Sequence, residues 1–185
     1  MLIIDGSQGE GGGQVLRTCL SLSVLTGRPF RLENIRAGRS KPGLRPQHLT
    51  GVWAAGALCD AEMEGDYYDS QQLTFKPQTK VAGGSYRFDV RKAAPTGRSA
   101  GAVTLILQTV LWPLLWAGER SEIVLRGGTH VPFSPSYHYM AEVARPAWGK
   151  MGVGVEVELK EWGFMGAGKG EMVAQIEPTA GLEGV

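Results

Sequence analysis

Gly9-Glu10-Gly11-Gly12-Gly13-Gln14-Val15-Leu16-Arg17 is the stretch whose reading decides the fold. Its glycines pass directly into an apolar pattern of helical period, Val15, Leu16, Cys19, Leu20, Leu22, Val24 and Leu25, closed by Thr26-Gly27. Glycine lets the backbone take positive φ and approach a ligand closely, while the first N–H groups of a helix and its macrodipole favour an anion. A loop of this kind is either a plain turn or a phosphate cradle. Which of the two it is depends on what the rest of the chain places beside it.

Working outward, Leu2-Ile3-Ile4 reads as a short strand ending at Asp5-Gly6, and Phe30–Ile35 as a second strand. Arg36 to Pro46 is too rich in glycine and proline for a regular element, and Pro46 opens a helix through about Ala61. Leu73–Lys76 and Tyr86–Val90 read as strands, Ala100–Trp116 as a third helix and Ser121–Leu125 as a strand. A second Gly/Pro segment, Gly127–Pro135, precedes a fourth helix over Ser136–Gly149, in which Pro146 predicts a kink. Val153–Leu159 alternates as a half-exposed strand, and Met172–Ile176 is the last strand.

The chain then repeats itself. At an offset of 90, Gly11 faces Gly101, Arg36 faces Arg126, Gly38 faces Gly128, Pro42 faces Pro132, His48 faces His138 and Ala54 faces Ala144. Helix, strand, Gly/Pro loop and helix fall in the same register. The expected fold is therefore α+β, as tandem repeats of a unit with two helices and a roughly four-stranded sheet, residues 1–92 and 93–185, packed helix to helix.

Composition narrows the function classes. A net charge of +1 over 185 residues gives no general basic field, so contact with nucleic acid has to be local. Arg28, Arg31, Arg36, Arg39, Lys41 and Arg45 cluster against one acid, Glu33, and the acids Asp60, Glu62, Glu64, Asp66 and Asp69 follow. Cys19 and Cys59 sit in helical apolar patterns and read as core, with no disulfide or zinc spacing. The run Val103–Ala117, interrupted by Gln108 and Pro113, is too short for a membrane span, and the opening residues carry no secretory pattern, which together predict a cytoplasmic protein without a membrane partner.

Several side chains suit anion chemistry. Arg36 and Arg39, with Lys41, Arg45 and Gln47, place guanidinium forks on a Gly/Pro loop, the geometry that binds phosphate bidentately. Arg17 opposes the dipole at the start of its helix, which makes an anion partner more natural than a structural role. Glu10 would repel a phosphate unless Mg²⁺ lies between them. His48 and His138 repeat, which suggests packing, and His130 is expected on an exposed loop. Pro132-Phe133-Ser134-Pro135 with Tyr137 and Tyr139 is either core or a clamp for a base. Gly163–Gly170 imitates a P-loop up to Lys169 but has glycine where the metal-binding hydroxyl belongs, and no helix follows.

Taken together, Asp5-Gly6-x-Gln8-Gly9-Glu10-Gly11-Gly12-Gly13-Gln14-x-Leu16-Arg17, Ile35-Arg36-Ala37-Gly38-Arg39-x-Lys41-Pro42-Gly43-Leu44 with Gln47-His48, Ser99-Ala100-Gly101 with Leu107-Gln108-Thr109, and Gly127-Gly128-Thr129 closely resemble the RNA 3'-terminal phosphate cyclases. The resemblance implies conversion of an RNA 3'-phosphate to a 2',3'-cyclic phosphate with ATP and Mg²⁺ or Mn²⁺, through histidine–AMP and RNA–adenylate intermediates. It also implies repeats like those of the C-terminal domain of translation initiation factor 3 and of enolpyruvyl transferases.

Residue by residue, it implies catalytic contacts from Arg17, Arg36, Arg39 and Gln47 to phosphates, and a phosphate loop at Gly11, Gly12, Gly13 and Gln14. Glu10 would contact the metal, and Gln108, Pro135 and Tyr139 would line the ATP site. Family members are longer, with a third repeat, an inserted domain and the nucleophilic histidine in the later part. This chain is accordingly expected to be inactive alone, and to be completed by a separate C-terminal chain or a homodimer partner. Arg91–Arg98 and Lys169 depart from the family pattern. A non-catalytic RNA-binding relative active in ribosome assembly is the alternative.

Overall fold

The computed structural model describes residues 1–9, 11–166 and 168–184. β1 (Leu2–Asp5) lies parallel to β2 (Phe30–Glu33), Leu2 opposite Phe30 and Asp5 opposite Glu33, and α1 (Gly13–Thr26) crosses between them. Gly27 ends α1 in the left-handed conformation, φ 67°, its N–H bonded to the Ser23 carbonyl at 2.9 Å, as its sequence position predicts. After α2 (Pro46–Leu58), β3 (Glu62–Glu64) and β4 (Leu73–Lys76) pair antiparallel, and β4 joins β2, for a sheet order β1-β2-β4-β3.

The second unit repeats this topology. β5 (Gly84–Asp89) is parallel to β6 (Ser121–Gly127) with α3 (Val103–Leu114) between them, and β8 (Gly170–Ile176) lies antiparallel to both β6 and β7 (Val155–Glu161), in the order β5-β6-β8-β7. The tandem two-helix, four-stranded repeat read from the sequence is the fold. β5 falls inside the expected first unit, 1–92, yet is an edge strand of the second sheet, so the two sheets divide between Lys76 and Gly84.

Local differences have local causes. β2 stops at Glu33 because Asn34 and Arg36 take left-handed φ of 53° and 55°. α2 stops at Leu58, two residues before Asp60 turns left-handed at φ 47°. α3 begins only at Val103, since Ala102 pairs with Gly128 in a parallel bridge and the Val103 N–H bonds to the Gly128 carbonyl at 3.0 Å. β3 was not legible because acids occupy two of its three positions; Lys76 on β4 pairs with one of them, Glu62, at 2.7 Å.

The fourth helix breaks into α4 (Tyr137–Tyr139), a π-turn (Met140–Ala144) and α5 (Arg145–Gly149). Pro146 has no N–H to donate one turn back and its ring would strike that carbonyl, so the helix widens just ahead of it.

Each unit's helices cover its own sheet and meet those of the other unit. Leu16, Leu20, Leu49, Val52, Ile106, Leu107 and Val110 are all at most 2% exposed, each burial contributing about 1.5–3 kcal/mol. Gly51, Ala54 and Ala55 keep one face of α2 low, and Gly51 lies beside Thr109 of α3. Ser21 of α1 donates to the Thr109 carbonyl at 2.6 Å across the unit boundary. This packing brings the N-terminal ends of the three long helices to one end of the molecule.

Candidate functional site

The glycine loop is positioned from below by Asp5 at the end of β1. Its carboxylate accepts the Ser7 N–H at 3.0 Å, the Ser7 hydroxyl at 2.8 Å and the Asn34 amide at 3.1 Å, and these bonds hold it below the usual carboxylate pKa. β1 and β2 are thereby tied where both turn toward the site. Gly11, φ 55°, needs glycine for its conformation, and Gly13 needs it for space: a Cβ there would lie 2.4 Å from His48 Nε2 and 3.1 Å from Arg17 Nη1.

Gly12 is the N-cap of α1 and leaves the first N–H groups of the helix without a side-chain partner; they have no intrahelical partner either. The next two helices arrive at the same place. His48, in the first turn of α2, lies against Gly13, while Gln47 accepts the Ala102 N–H, the N-cap amide of α3, at 2.8 Å. The first turns of α1, α2 and α3 contain no acid. Three positive helix ends therefore meet with no acid in their own first turns.

Guanidinium groups add to that field. Arg36 donates through Nη1 to the carbonyls of Lys41 (2.7 Å) and Gly43 (2.9 Å), which shapes the Arg36–Arg39 loop. Arg39 Nη2 lies over Gly12, 3.0 Å from where a Cβ would be, and Gly38 packs on Gly11. Arg45 pairs with Asp69 and Tyr68, with its guanidinium 4.4 Å from the Tyr68 ring centroid. The acidic segment that follows the basic loop in sequence thus latches onto it through Asp69.

Arg17 donates to Gln14 Oε1 at 2.6 Å, but its Nε is buried with no acceptor. Burial lowers the pKa of Arg17, and burial together with Arg45 and Arg39 lowers that of Arg36, a sign of cations packed without enough negative charge. Gln108 Oε1 on α3 is likewise buried and unpartnered. Arg17, Gln14, Thr18, Gln108 and Trp112 line a cavity of about 230 Å³ between α1 and α3. The residues that carry the two orphaned atoms thus share one cavity wall.

His48, which sequence reading assigned to packing, lies beside the glycine loop and the arginines. Its Nδ1 accepts the Arg45 N–H at 3.3 Å, which leaves the proton on Nε2, the nitrogen facing Gly13. Burial first, then Arg36, Arg17 and Arg45, push its pKa down to about 3, so it is a neutral donor at the floor of the loop. The available signal was its position, three residues after the N-cap Arg45, where a side chain can reach back to the cap amide.

On the adenine side expected from sequence, the Pro135 carbonyl accepts the Thr104 hydroxyl at 2.8 Å, which fixes that loop to the first turn of α3, and Tyr139 is exposed. Tyr137 is core-facing, its hydroxyl on the Val157 carbonyl at 3.1 Å. His130, expected on an exposed loop, is half-buried under Trp162. Gly163–Gly170 lies in the connection between β7 and β8, so its resemblance to a P-loop has no helix behind it.

The structure thus brings Gly11, Gly12, Gly13, Gln14, Arg17, Arg36, Arg39 and Gln47 to one end, with Gln108 reached through the cavity. Glu10, the expected metal contact, lies outside the described residues. No group of three His, Cys, Asp or Glu that could hold a metal is present among the described residues, and no described helix is long and apolar enough to cross a membrane.

The class that the fold and candidate site define is a tandem α+β repeat with a glycine loop, an arginine loop and three convergent helix N-termini. Comparison with known proteins narrows the class. The model of the RNA 3'-terminal phosphate cyclase family matches residues 8–185, and the chain belongs to that family. It is 52% identical over 185 residues to the RNA 3'-terminal phosphate cyclase of Gloeothece citriformis, covering 100% of this chain and 53% of the relative. To the protein of the same name from Methylococcus capsulatus it is 54% identical over 172 residues, 93% of this chain and 47% of the relative. The Salmonella typhimurium protein of that name is 45% identical over 185 residues, 100% and 52% respectively. The chain spans about half the length of the curated relatives it matches.

Proposed function

We propose that this chain is the phosphate-binding part of an RNA 3'-terminal phosphate cyclase. The complete protein would convert an RNA 3'-phosphate to a 2',3'-cyclic phosphate, consuming ATP and releasing AMP and pyrophosphate. The observation that carries the reading is the meeting of three acid-free helix N-termini with Arg17, Arg36 and Arg39 around Gly11–Gly13. Such a site stabilises charge on transferring phosphoryl groups without rearranging.

On this reading Arg17 and the first N–H groups of α1 hold phosphate oxygens, Arg39 closes over Gly12, and the Nε2–H of His48 donates from below. Gln47 acts through Ala102, fixing α3 relative to α2 and so the position of Gln108. Gln108 meets the nucleotide, and Pro135 and Tyr139 lie along its base. A divalent ion, Mg²⁺ or Mn²⁺, would be held by Glu10 and by the phosphates themselves, an arrangement that needs few protein ligands. The histidine that accepts AMP belongs to sequence beyond these residues, supplied by the remainder of the chain or by a partner.

Incubation with α-labelled ATP, divalent metal and an RNA bearing a 3'-phosphate tests this. The 185-residue chain should bind ATP without acquiring stable AMP, and the complete protein should become adenylated and cyclise the RNA end. RNA binding with no measurable ATP affinity would instead identify a non-catalytic RNA-binding relative.

A further inference from the structure

Trp162 and Phe164 are 55% and 56% exposed, with their rings 5.8 Å apart and inclined by only 14°. They are not loosely placed. His130 stacks on Trp162 at 4.6 Å and 22°, and the strand-like contact of residues 129–130 with 163–164 is fixed by the Thr129 and His130 N–H groups, both on the Gly163 carbonyl at 2.9 Å.

A polar chain sets the ring of His130. The Gly163 N–H donates to Thr129 Oγ1 at 2.9 Å, that oxygen is 2.8 Å from His130 Nδ1, and His130 Nε2 is 2.8 Å from His138 Nδ1. With both imidazoles neutral, each link has one proton. The direction in which the two links run follows the tautomer of His130. The buried Thr129 hydroxyl satisfies the Gly163 N–H and at the same time fixes the rings above it, and a fixed exposed aromatic face marks a contact surface.

Its surroundings favour a polyanion. The turn after Phe164 packs on the Ser99–Ala100 backbone through Gly168, which brings the chain positions of two cations, Arg98 and Lys169, close together, and neither forms an ion pair among the described residues. The neighbouring carboxylate Glu161 acts on Arg91. The face also adjoins the phosphate end: the Gly128 N–H bonds to the Gly101 carbonyl at 2.8 Å, and Gly101 rests on Gln47.

We propose that Trp162 and Phe164, backed by His130, form a stacking platform for bases of a single-stranded RNA whose 3' end lies at the arginine loop; the direction of the strand rests on the cyclase reading. Aromatic stacking tolerates any base and, with cations on the phosphodiesters, suits binding without sequence preference.

The test is fluorescence anisotropy of a short labelled oligouridylate on the 185-residue chain, in wild type, Trp162→Phe and the double variant Trp162→Ala/Phe164→Ala, with ATP affinity measured alongside. The double variant should weaken oligonucleotide binding by about 5- to 150-fold, the range for loss of one base stack, and leave ATP affinity unchanged. Trp162→Phe should stay within about threefold of wild type, since a ring remains. Binding should quench an emission component that Trp162→Phe lacks.

Equal affinity of wild type and double variant, or no oligonucleotide binding at all, overturns the platform. So does adenosine alone producing the full quench, which would make this the nucleotide's base site, or Trp162 in the complete protein being unresponsive because a protein surface covers it. Equal binding of 3'-phosphate and 3'-hydroxyl oligonucleotides with no ATP affinity would defeat the cyclase reading, while a loss in the double variant would still support the platform.

Discussion

In the first unit the residues before α1 are Gly11-Gly12-Gly13, and the volume their missing side chains leave is lined by Arg39, Arg17 and His48. In the second unit the corresponding residues before α3 are Gly101-Ala102, and the space at Gly101 is filled by Val90 and Gln47, 2.7 and 2.9 Å from where a Cβ would stand. Arg36 in the first loop shapes backbone beside the glycines, whereas its offset partner Arg126 lies on β6 and is paired with Glu171. His48 is a neutral donor among cations, and His138 supports an aromatic face. One topology has thus been furnished twice. In the first copy Arg39, Arg17 and His48 close around the glycines, and in the second Val90 and Gln47 do so, which locks the units together.

Substitutions at matched positions sharpen the contrast. The largest difference is expected for Gly13→Val, whose side chain would occupy the space between His48 Nε2 and Arg17 Nη1. ATP affinity, measured by calorimetry, should fall about 100-fold or more, as expected when charge-assisted contacts worth about 1.5–3 kcal/mol each are lost together. Gly101→Val should act instead on folding, lowering the unfolding free energy measured in urea by about 1–3 kcal/mol through overpacking. If the two exchanged their effects, the division of labour would be wrong.

Arg39→Ala should weaken ATP binding by about 10- to 100-fold. Arg126→Ala, which removes an ion pair whose arginine is part-exposed, should cost under about 1 kcal/mol of stability and leave ATP binding unchanged.

A third comparison uses pH. The pKa of His48 falls on folding from 6.5 to about 3. The unfolded chain therefore binds a proton that the native chain refuses across that interval. The contribution of this group is present above about pH 6.5 and is lost as pH falls toward 3, with a slope of at most about 1.4 kcal/mol per unit. Urea unfolding of His48→Gln at pH 7 and pH 4.5 should show a smaller drop than wild type, and an identical drop would remove His48 from the cationic cluster. The smallest effect is expected at the unit boundary. Ser21→Ala removes the bond to the Thr109 carbonyl and should cost about 1 kcal/mol in urea denaturation, without altering ligand binding.

Much of this contrast was legible in the sequence. The glycine run entering a helical pattern, the arginine loop and the 90-residue offset located the elements and the end of the molecule where the site lies, because periodicity and Gly/Pro punctuation are local signals. Long-range pairing was not legible. β5 reads like the strands of the first unit, and only its pairing with β6 assigns it to the second sheet. Gln47 was expected on a phosphate from its motif alone; that its side-chain Oε1 also holds the N-cap of α3, a contact between residues 55 positions apart, had no local signal. His48 looked like a packing repeat of His138, because an offset compares residue types and not the charges that surround them. The platform under Trp162 was hidden for the same reason: Thr129, His130, His138 and Gly163 meet only after β6 and β7 are in place.

The central claim is that the convergent helix ends bind polyphosphate, and calorimetric titration of the 185-residue chain with ATP, inorganic tripolyphosphate and adenosine tests it most directly. ATP should bind, tripolyphosphate should compete with it at the same site and lose affinity with it in Arg39→Ala, and adenosine should bind far more weakly than either. Adenosine binding as tightly as ATP, with Arg39→Ala indifferent to all three ligands, would contradict it.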